Sequence, residues 1–499
     1  MGQEFPSDTP TEVYTPTNFT EIDQIWSLSR EALLTDSLSL ELGIAASRIV
    51  PNDEAVGFVG VQKGDEAKGT WVYRFSHQRP FGVGLRGGAG AGSGHVFKED
   101  GAVGETTHRL LPTTVDDGWT KVVGRAVLGV PEILITEIER LGENGHDNSP
   151  NRVMIDGQTF LAWDAYKARD AAEEARRGAK KVGTTQSGVG PAASDYTART
   201  GMNFGMLLLP RHELQERVQE EVDRNNNLLK ALGIGDDKLY DADVVYQQMQ
   251  WWADRLGPYI RNTYSVVVDA LENGILVYEG AQAFGLGRTT GTPGSVTSTE
   301  SGFGHLSLNY RTSEKRLGHR VGVMKLVPTQ VGVHVNHTPI PDDVQEQLYG
   351  RTAARGLPEQ GAVSGRRRQY YWLSIPELRA AVETYGLTEL VISKIDAADT
   401  LSYIDVGMEY VFSDGDVTSR YDPGDPRMKD PATRMNTLRL SGWNSSTAGM
   451  TDLHDAPKEL LATLQTISRL VGVPVVAVGT GPGYSEFAAR KGSILRRSQ

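Results

Sequence analysis

The chain has 499 residues, of which 39% are hydrophobic and 23% charged, a composition that excludes disordered and collagen-like proteins. Its 51 basic and 63 acidic residues give a net charge of −12, which argues against broad binding to nucleic acid or anionic membranes. The absence of cysteine excludes disulfides, thiolate metal sites and cysteine nucleophiles. Any chemistry must therefore rest on carboxylate, imidazole, cationic or hydroxyl groups, or on backbone amides.

The first part of the chain differs in composition from the rest. Residues 1–52 are rich in Thr, Ser, Pro and acidic residues, and we expect them to form an extension with one helix over 19–34. They lack the basic patch and apolar run of a secretory signal, and no apolar stretch reaches the ~18 residues of a membrane span. We therefore expect a cytoplasmic protein without a membrane partner, whose residues 53–499 form one catalytic domain.

Short β-type runs alternate with amphipathic helical stretches along that domain. Strands are predicted at 55–59, 275–278, 390–392 and 475–478, and helices at 212–232 and 456–471. This alternation is typical of an α/β fold with a large, mostly parallel central sheet flanked by helices. Ligands of such sheets bind beyond the carboxyl ends of the strands, so the loops there are the candidate sites.

The loop after the first strand has the sequence GVQKGDEAKGT at residues 60–70. Its glycines let the backbone approach an anion closely, and Lys68 supplies a positive charge for a phosphate. Asp65 is able to hold Mg²⁺ or accept a proton. The loop lacks the Walker A pattern, and a solvated turn is the alternative interpretation of these residues alone.

The second candidate loop has five glycines and ends on a histidine, RGGAGAGSGH at residues 86–95. Such a run cannot form a stable helix interior, so it is either a linker or a loop folded around a ligand. The imidazole of His95 is suited to protonating or hydrogen-bonding a substrate oxygen near neutral pH.

Four further segments are weaker signals, and an ordinary loop is the alternative for each. They are VGTTQSGVGP at 182–191 with the later Arg199, EGAQ at 279–282 with Thr297, GRRR at 365–368, and SKID at 393–396 with GTGP at 479–482. The first segment is suited to binding a phosphate, and the second to the edge of a purine. The third is suited to carboxylates, because the guanidinium fork matches their geometry. Lys-x-Asp after a strand is the pattern by which GTP-binding proteins recognise guanine. A metal pair at His334 and His337 is not favoured, because alternation puts them on opposite faces.

Taken in this order, the segments resemble adenylosuccinate synthetase, the GTP-dependent ligase of AMP synthesis, from about residue 55 to 498. The resemblance rests on the ordered set of seven short motifs rather than on any one of them. It implies a P-loop-like GTP-binding ligase fold and a homodimer. It also implies Mg²⁺ as cofactor, with GTP, L-aspartate and IMP as substrates.

The resemblance also implies roles for individual residues. Asp65 would take the N1 proton of a 6-oxopurine nucleotide so that O6 attacks the γ-phosphate of GTP, assisted by His95, Lys68 and Gln282. Mg²⁺ would be held by Asp65 and the Gly94 carbonyl. The remaining implied contacts are Thr185, Arg199, Gln282 and Thr297 to the nucleotide, Ser364, Arg366 and Arg368 to aspartate, and Gly64, Glu66, Ala67, Lys68, Gly69, Lys394, Asp396, Thr480, Gly481 and Pro482 to GTP. Arg199 would act from the partner subunit.

Several positions depart from the usual pattern of that family. Ala67 stands where glycine is usual, Val363 where threonine is usual, and Gly483-Tyr484 where Asp-Arg is usual. An alternative substrate is therefore dGMP, as in viral relatives that make 2-aminoadenine deoxynucleotide precursors, and such a protein would work in the host cytoplasm. The retained Asp65 favours IMP, because those relatives tend to have serine there. A GTP-binding regulatory protein without ligase activity is a further alternative.

Overall fold

A computed structural model describes residues 49–495, apart from residues 89, 103, 126, 179–182, 331–334, 355–358 and 360–366. The predicted helix over 19–34 lies outside the described residues, as does most of the expected extension 1–52. In the part of the chain that is described, no helix is long and apolar enough to cross a membrane.

The strands, in chain order, are β1 (Asn52–Gly60), β2 (Gly82–Gly87), β3 (His95–Phe97), β4 (Thr106–His108), β5 (Trp119–Val123), β6 (Leu128–Gly129), β7 (Val153–Asp156), β8 (Phe160–Leu161), β9 (Met202–Asn203), β10 (Ile260–Arg261), β11 (Leu276–Ala283), β12 (Leu317–Lys325), β13 (Thr329–Gln330), β14 (Gln369–Tyr370), β15 (Leu373–Ser374), β16 (Glu389–Ser393), β17 (Tyr403–Val411), β18 (Val417–Thr418), β19 (Arg434–Ser441), β20 (Val475–Gly479) and β21 (Phe487–Ala489). The α-helices are α1 (Lys68–His77), α2 (Pro131–Glu143), α3 (Asp164–Arg177), α4 (Val189–Ala198), α5 (Arg211–Ala231), α6 (Ala242–Leu256), α7 (Tyr264–Asn273), α8 (Gly304–Tyr310), α9 (Asp342–Ala354), α10 (Ile375–Tyr385) and α11 (Lys458–Val471).

Ten strands form a central sheet in the order β10-β7-β5-β2-β11-β1-β12-β16-β20-β21. Neighbouring strands are parallel except for β20 and β21, which are antiparallel. The predicted α/β class with a mostly parallel sheet is therefore confirmed. The carboxyl ends of β1, β2, β11, β12, β16 and β20 lie side by side at one edge of this sheet.

Both faces of the sheet are covered, which explains why residues 55–60 of β1 are apolar without interruption. In β1, Ala55 and Val59 pack into one buried cluster, whereas Val56 and Phe58 pack into another that includes α1. Successive side chains of a strand point to opposite faces, so a strand covered on both sides has no polar alternation. Three predicted strands lie within β1, β16 and β20, the fourth begins at residue 275, one residue before β11, and the two predicted helices correspond to α5 and α11.

One strand boundary was predicted wrongly. The segment 279–282 was expected to form a loop after a strand, but it lies inside β11, which continues to Ala283. The reason is that β11 lies between β1 and β2, and both of them pair with this segment: Glu279 faces Arg86 of β2, and Ala283 faces Gly60 of β1.

Candidate active site

A tight turn follows β1 and leads into α1. Gly64, Asp65 and Ala67 have positive φ angles of 93°, 61° and 66°. Glu66 is fully buried, accepts from the Gly64 amide at 2.8 Å and pairs with Lys68 Nζ at 2.8 Å. Burial raises the pKa of Glu66, but the Lys68 charge and these hydrogen bonds outweigh burial, so the pKa lies below its ordinary value. Glu66 therefore fixes the turn from inside.

Two neighbouring strand ends hold this turn in place. The Gln62 side chain donates to the Lys325 carbonyl at 2.8 Å and accepts from the Lys325 amide at 2.9 Å, which joins the end of β1 to the end of β12. Ser393, the last residue of β16, donates to the Glu66 carbonyl at 2.6 Å. The first and sixth predicted segments are thus in direct contact.

Arg86, His95 and Glu279 form a buried group that we call the His95 cluster. Arg86 donates to Glu279 at 2.8 Å, and His95 Nδ1 contacts both partners. Glu279 also accepts from the amide of Thr113 at 2.8 Å and from its hydroxyl at 3.2 Å. His95 Nε2 lies 2.9 Å from the Ala281 carbonyl, which only accepts, so we assign a proton to Nε2. Arg86 and Glu279 have no exposed surface, and His95 is 6% exposed.

The His95 cluster lowers the pKa of both His95 and Glu279. Burial, followed by the positive charge of Arg86, lowers the pKa of His95 to about 4, against the opposing effect of Glu279. Burial raises the pKa of Glu279, but Arg86 and His95 outweigh it and the pKa falls to about 2. At neutral pH the cluster therefore consists of a guanidinium, a carboxylate and a neutral imidazole.

A second charged group, the Asp65 cluster, consists of Asp65, Glu359, Arg368 and Lys394. Arg368 Nε lies 2.7 Å from Asp65 Oδ2 as an ion pair without hydrogen-bond geometry, and its Nη1 donates to Glu359 at 2.6 Å. Lys394 Nζ donates to the other oxygen of Glu359. Glu359 and Arg368 are buried, whereas the side chains of Asp65 and Lys394 are each 34% exposed. Residues from three separately predicted motifs are thus joined in one network, in which Arg368 contacts both Asp65 and Glu359.

The environment of Glu359 is strongly positive. Lys325 Nζ lies 3.7 Å from Glu359, in addition to Arg368 and Lys394. Burial raises the pKa of Glu359, but these three cations outweigh it and keep the pKa far below its ordinary value. Burial lowers the pKa of Lys325 to about 8, with Glu359 opposing. Three cations therefore face two carboxylates, which leaves an excess of positive charge suited to an anion.

The residues predicted to contact the nucleotide are spread over adjoining loops. Thr185 is exposed, with its hydroxyl 2.8 Å from that of Ser187, and a Cβ on Gly92 would lie 3.0 Å from the Thr185 hydroxyl. Gln282 is half-buried near the end of β11, and the Thr297 amide donates to the Leu286 carbonyl at 2.8 Å. The second and third predicted loops are therefore neighbours.

The third loop is shorter than predicted. Helix α4 begins at Val189, so Gly190 and Pro191 lie in its first turn and not in a loop. Gly188 has a φ of 75° and ends the loop, and proline is tolerated in a first helical turn because its missing amide would have no partner there. Arg199 follows α4 with an exposed side chain and a left-handed backbone.

Some predicted residues cannot be compared with the structure. Ser364 and Arg366 lie outside the described residues, as does His334. His337 is not a member of the clusters described above, and its Nε2 lies 3.1 Å from the Met428 carbonyl. Of the predicted amino-acid contacts, Arg368 is the one that the described residues include.

The segment 480–482 after β20 lies over α1. The Thr480 amide donates to the Glu486 carbonyl at 2.9 Å, and Arg74 of α1 donates to the Gly481 carbonyl at 2.8 Å. Across from it, Lys394 has a φ of 54° and Asp396 is 8% exposed at the end of β16. The two segments that were predicted to recognise guanine thus follow adjacent parallel strands.

The donor set fits a magnesium ion that is shared with a substrate. Mg²⁺ is usually held by one or two carboxylates together with substrate phosphates and waters, and Asp65 offers one partly exposed carboxylate beside the phosphate-type turn. Among the described residues, no group of three or more His, Asp or Glu side chains is arranged to hold a metal unaided. Asp65 and the Gly94 carbonyl remain the predicted ligands.

The sequence did not reveal several members of these clusters. Glu359 was not predicted to take part, nor were Lys325 beside it and Arg74 outside the clusters, and Arg86 and Glu279 were noted only as parts of loops. A charged residue inside an otherwise apolar strand, as with Glu279 in β11, is the one local signal that was available, because buried carboxylates are rare unless paired.

Comparisons with known proteins agree with this geometry. The profile of the adenylosuccinate synthetase family matches residues 58–488. The chain belongs to this family. The adenylosuccinate synthetase of Desulforapulum autotrophicum is 30% identical over 426 residues, which cover 85% of this chain and 96% of that protein.

Solved structures of two proteins share the fold. The fully ligated adenylosuccinate synthetase of Plasmodium falciparum superimposes with a TM-score of 0.79 at 23% identity, covering 88% of this chain and all of that one. The succinoaminodeoxyadenylate synthetase of cyanophage S-2L, bound to dGMP and to dATP as an energy donor, gives a TM-score of 0.50 at 15% identity, covering 88% and 95%. At these identities the likeness is one of fold.

Proposed function

We propose that this family member is a GTP-dependent ligase that joins L-aspartate to C6 of IMP, giving adenylosuccinate. The observation that supports it most is the Asp65 cluster. Asp65, Arg368 and Lys394 come from the segments expected to serve the purine, the amino acid and GTP; Arg368 and Lys394 share Glu359, and Asp65 pairs with Arg368. A ligase with three substrates needs their sites adjacent in this way, because positioning supplies most of the rate.

In the first step Asp65 takes the N1 proton of IMP. O6 then forms a bond to the γ-phosphorus of GTP, the bond from that phosphorus to the bridging oxygen breaks, and GDP leaves. Lys68 and the amides of the turn at 64–69 would bind the phosphates, and Gln282 the purine. Phosphoryl transfer requires mainly alignment and neutralisation of charge, and Lys68 would supply positive charge beside this turn.

In the second step the amine of aspartate attacks C6. The new C6–N bond forms, the bond from C6 to the phosphorylated oxygen breaks, and inorganic phosphate leaves. Arg368 would hold a carboxylate of aspartate, together with Ser364 and Arg366. In the first step, His95 would donate its Nε2 hydrogen bond to O6 of IMP in place of the Ala281 carbonyl that faces it here.

Mg²⁺ would be held by Asp65 and the Gly94 carbonyl, and it would supply charge neutralisation for the triphosphate. Thr185 and Thr297 would contact IMP. The guanine base would be bound by Lys394 and Asp396 on one side and by residues 480–482 on the other.

We propose a homodimer in which Arg199 binds the nucleotide phosphate of the partner subunit. Its side chain is exposed at the end of α4. The test is to mix Asp65→Asn and Arg199→Ala subunits, each inactive alone. If Arg199 acts on the partner's site, random mixing restores about one quarter of the wild-type activity, because half of the dimers are mixed and each has one intact site. No restored activity would contradict the placement of Arg199.

The test of the ligase function is phosphate release from GTP by the purified protein. We expect release to require Mg²⁺, L-aspartate and IMP together, and the product to have the mass of adenylosuccinate. Replacing IMP by dGMP tests the alternative substrate, and higher kcat/KM with dGMP would overturn the assignment of IMP. GTP binding without release under any combination would instead indicate a regulatory protein.

A further inference from the structure

Arg74 of α1 is a buried arginine outside the two charged clusters. It is 2% exposed, and its Nη2 donates to the carbonyls of Gly481, Gly483 and Glu486, each at 2.8 Å. These three carbonyls lie more than 400 residues from Arg74 along the chain. Burying a guanidinium is unfavourable unless its donors are paired, so these contacts determine where the segment 480–486 lies.

The guanidinium of Arg74 is also enclosed by aromatic rings. It lies 4.9 Å from the ring of Trp71 and 5.2 Å from that of Phe487. A cation over an aromatic face is stabilised electrostatically, and more strongly when both are out of water. The Arg74 guanidinium is thus held between Trp71 of α1 and Phe487 of β21.

A second contact ties the same segment to α1. Tyr484 lies edge-on to His77, with ring centroids 4.5 Å apart, and 6.1 Å from Tyr73. Within the segment, Glu486 accepts from the amide of Gly483 at 2.5 Å and its carbonyl accepts from Thr480. Residues 480–486 therefore pack on α1 as one unit, at the positions where this sequence departs from the usual Asp-Arg.

Helix α1 begins at Lys68, directly after the turn predicted to bind the phosphates. Arg74 lies six residues after Lys68 in the helix, a rise of about 9 Å at 1.5 Å per residue. One rigid helix therefore bears the phosphate turn at its start and, near its end, the segment predicted to flank guanine.

We propose that Arg74 is a positioning residue that fixes the base-binding segment 480–486 relative to the phosphate turn, and thereby sets the affinity for the guanine nucleotide. This inference rests on the proposed assignment of those two segments to GTP. It does not require Arg74 to touch any substrate. Without Arg74, the phosphates would still bind, but the base would meet a displaced segment.

The test is the affinity of Arg74→Met for GDP and for pyrophosphate, which lacks the base, measured by calorimetry in the presence of Mg²⁺. We expect GDP to bind at least tenfold more weakly than to wild type and pyrophosphate to bind as tightly as before. Equal weakening of both ligands, or no weakening of either, would overturn the proposal. Because this test needs no turnover, its outcome is separate from that of the ligase assay.

Arg79→Met is the matched control. Arg79 is also buried, packs on the ring of Phe75, and donates to the Phe75 and Ile494 carbonyls at 3.1 Å and to Glu54 at 3.3 Å, partners that lie outside residues 480–486. We expect Arg79→Met to lower the melting temperature and to leave the affinity for GDP unchanged. Loss of GDP affinity in Arg79→Met equal to that in Arg74→Met would overturn the specific role.

Arg74→Lys keeps the test valid if Arg74→Met does not fold. Its ammonium has three donors for the three carbonyls but a shorter reach. We expect its GDP affinity to lie between those of wild type and Arg74→Met, or at least threefold below wild type if Arg74→Met cannot be purified. In turnover, the KM for GTP should rise in parallel while the KM values for IMP and aspartate stay within twofold. Wild-type GDP affinity in a folded Arg74→Lys protein would overturn the proposal.

Discussion

The two charged clusters at the carboxyl edge of the sheet differ in how they meet solvent. In the His95 cluster, Arg86 and Glu279 have no exposed surface and His95 is 5% exposed in its side chain. In the Asp65 cluster, buried Arg368 and Glu359 are flanked by Asp65 and Lys394, each about one-third exposed. The Arg86–Glu279 pair is closed to solvent, whereas the Asp65 cluster is open to substrates at Asp65 and Lys394.

This difference in exposure predicts different effects of substitution in the two clusters. When one partner of a buried ion pair is removed, water cannot solvate the other. The free energy of unfolding therefore decreases. A partly exposed side chain can leave its partner and bind a substrate carboxylate or phosphate instead. Its loss therefore affects activity more than stability. We therefore expect loss of the Arg86–Glu279 pair to destabilise the protein, and substitution of the partly exposed Asp65 to leave it folded but inactive.

The largest effect is expected for Asp65→Asn. The substitution removes the proposed base and a proposed Mg²⁺ ligand together, so kcat should fall by about 10³-fold or more, within the range of general base catalysis. Circular dichroism and the melting temperature should match those of the wild type, because Asp65 is partly exposed. A variant with near-normal kcat would rule out the role of Asp65.

Next in size is Glu279→Gln, which breaks the Arg86–Glu279 pair. The buried Arg86 would lose its counter-charge, and removal of one partner of a buried pair typically destabilises a protein by about 3–5 kcal/mol. Denaturant unfolding should show this loss. If the free energy of unfolding changed by less than about 1 kcal/mol, as is usual for exposed pairs, the contrast between the clusters would not hold.

The same residue predicts a pH dependence of stability. The pKa of Glu279 is depressed from 4.5 to about 2 in the folded protein, so the unfolded chain binds more protons between these values. The contribution of Glu279 is therefore complete above about pH 4.5 and is lost as the pH falls towards 2. The difference in unfolding free energy between wild type and Glu279→Gln should shrink by about 1.4 kcal/mol per pH unit below 4.5. A difference independent of pH would refute the depressed pKa.

A smaller effect is expected for Arg368→Lys in the open cluster. A lysine preserves the charge but cannot contact Asp65 and Glu359 at once through separate nitrogens, as Arg368 does. We expect the KM for aspartate to rise about tenfold, equivalent to ~1.4 kcal/mol, with the KM for IMP nearly unchanged. A uniform rise in the KM of all three substrates would indicate a general distortion rather than loss of an amino-acid contact.

The smallest effect is expected for Ala67→Gly. Ala67 has a φ of 66°, a conformation that costs an L-residue about 1–2 kcal/mol. Glycine avoids this cost, but the greater flexibility of its unfolded chain offsets part of the gain in stability. The melting temperature should rise slightly with activity retained. As a control, Ala462→Gly on the exposed face of α11 should lower stability by about 1 kcal/mol, because glycine is unfavourable inside a helix. A destabilised Ala67→Gly would show that the turn is not strained.

The sequence predicted the parts of this arrangement that have a local signature. Apolar runs located four strands of the sheet, and i, i+4 repeats located α5 and α11, whose Leu214, Val218 and Val222 are buried as expected. Motif order brought Asp65, Arg368 and Lys394 into one hypothesis, and they lie in one cluster. These features depend on residues close together in the chain, or on patterns shared across a family.

The remaining features depend on contacts between distant residues. Arg86 and Glu279 are 193 positions apart, and each taken singly resembles an ordinary surface charge. The end of β11 was misplaced because its last residues gain their partners from β1 and β2, which lie elsewhere in the sequence. Arg74 has no motif around it, and its function arises only when residues 480–486 pack on α1.

The most direct test of the proposed chemistry is to follow the O6 oxygen of IMP. The protein would be supplied with IMP labelled with ¹⁸O at C6, together with GTP, Mg²⁺ and L-aspartate, and the released phosphate would be analysed by mass spectrometry. If O6 attacks the γ-phosphate and the amine then displaces it, each phosphate released with a product molecule contains one ¹⁸O atom. Unlabelled phosphate accompanying product formation would contradict the 6-phosphoryl route.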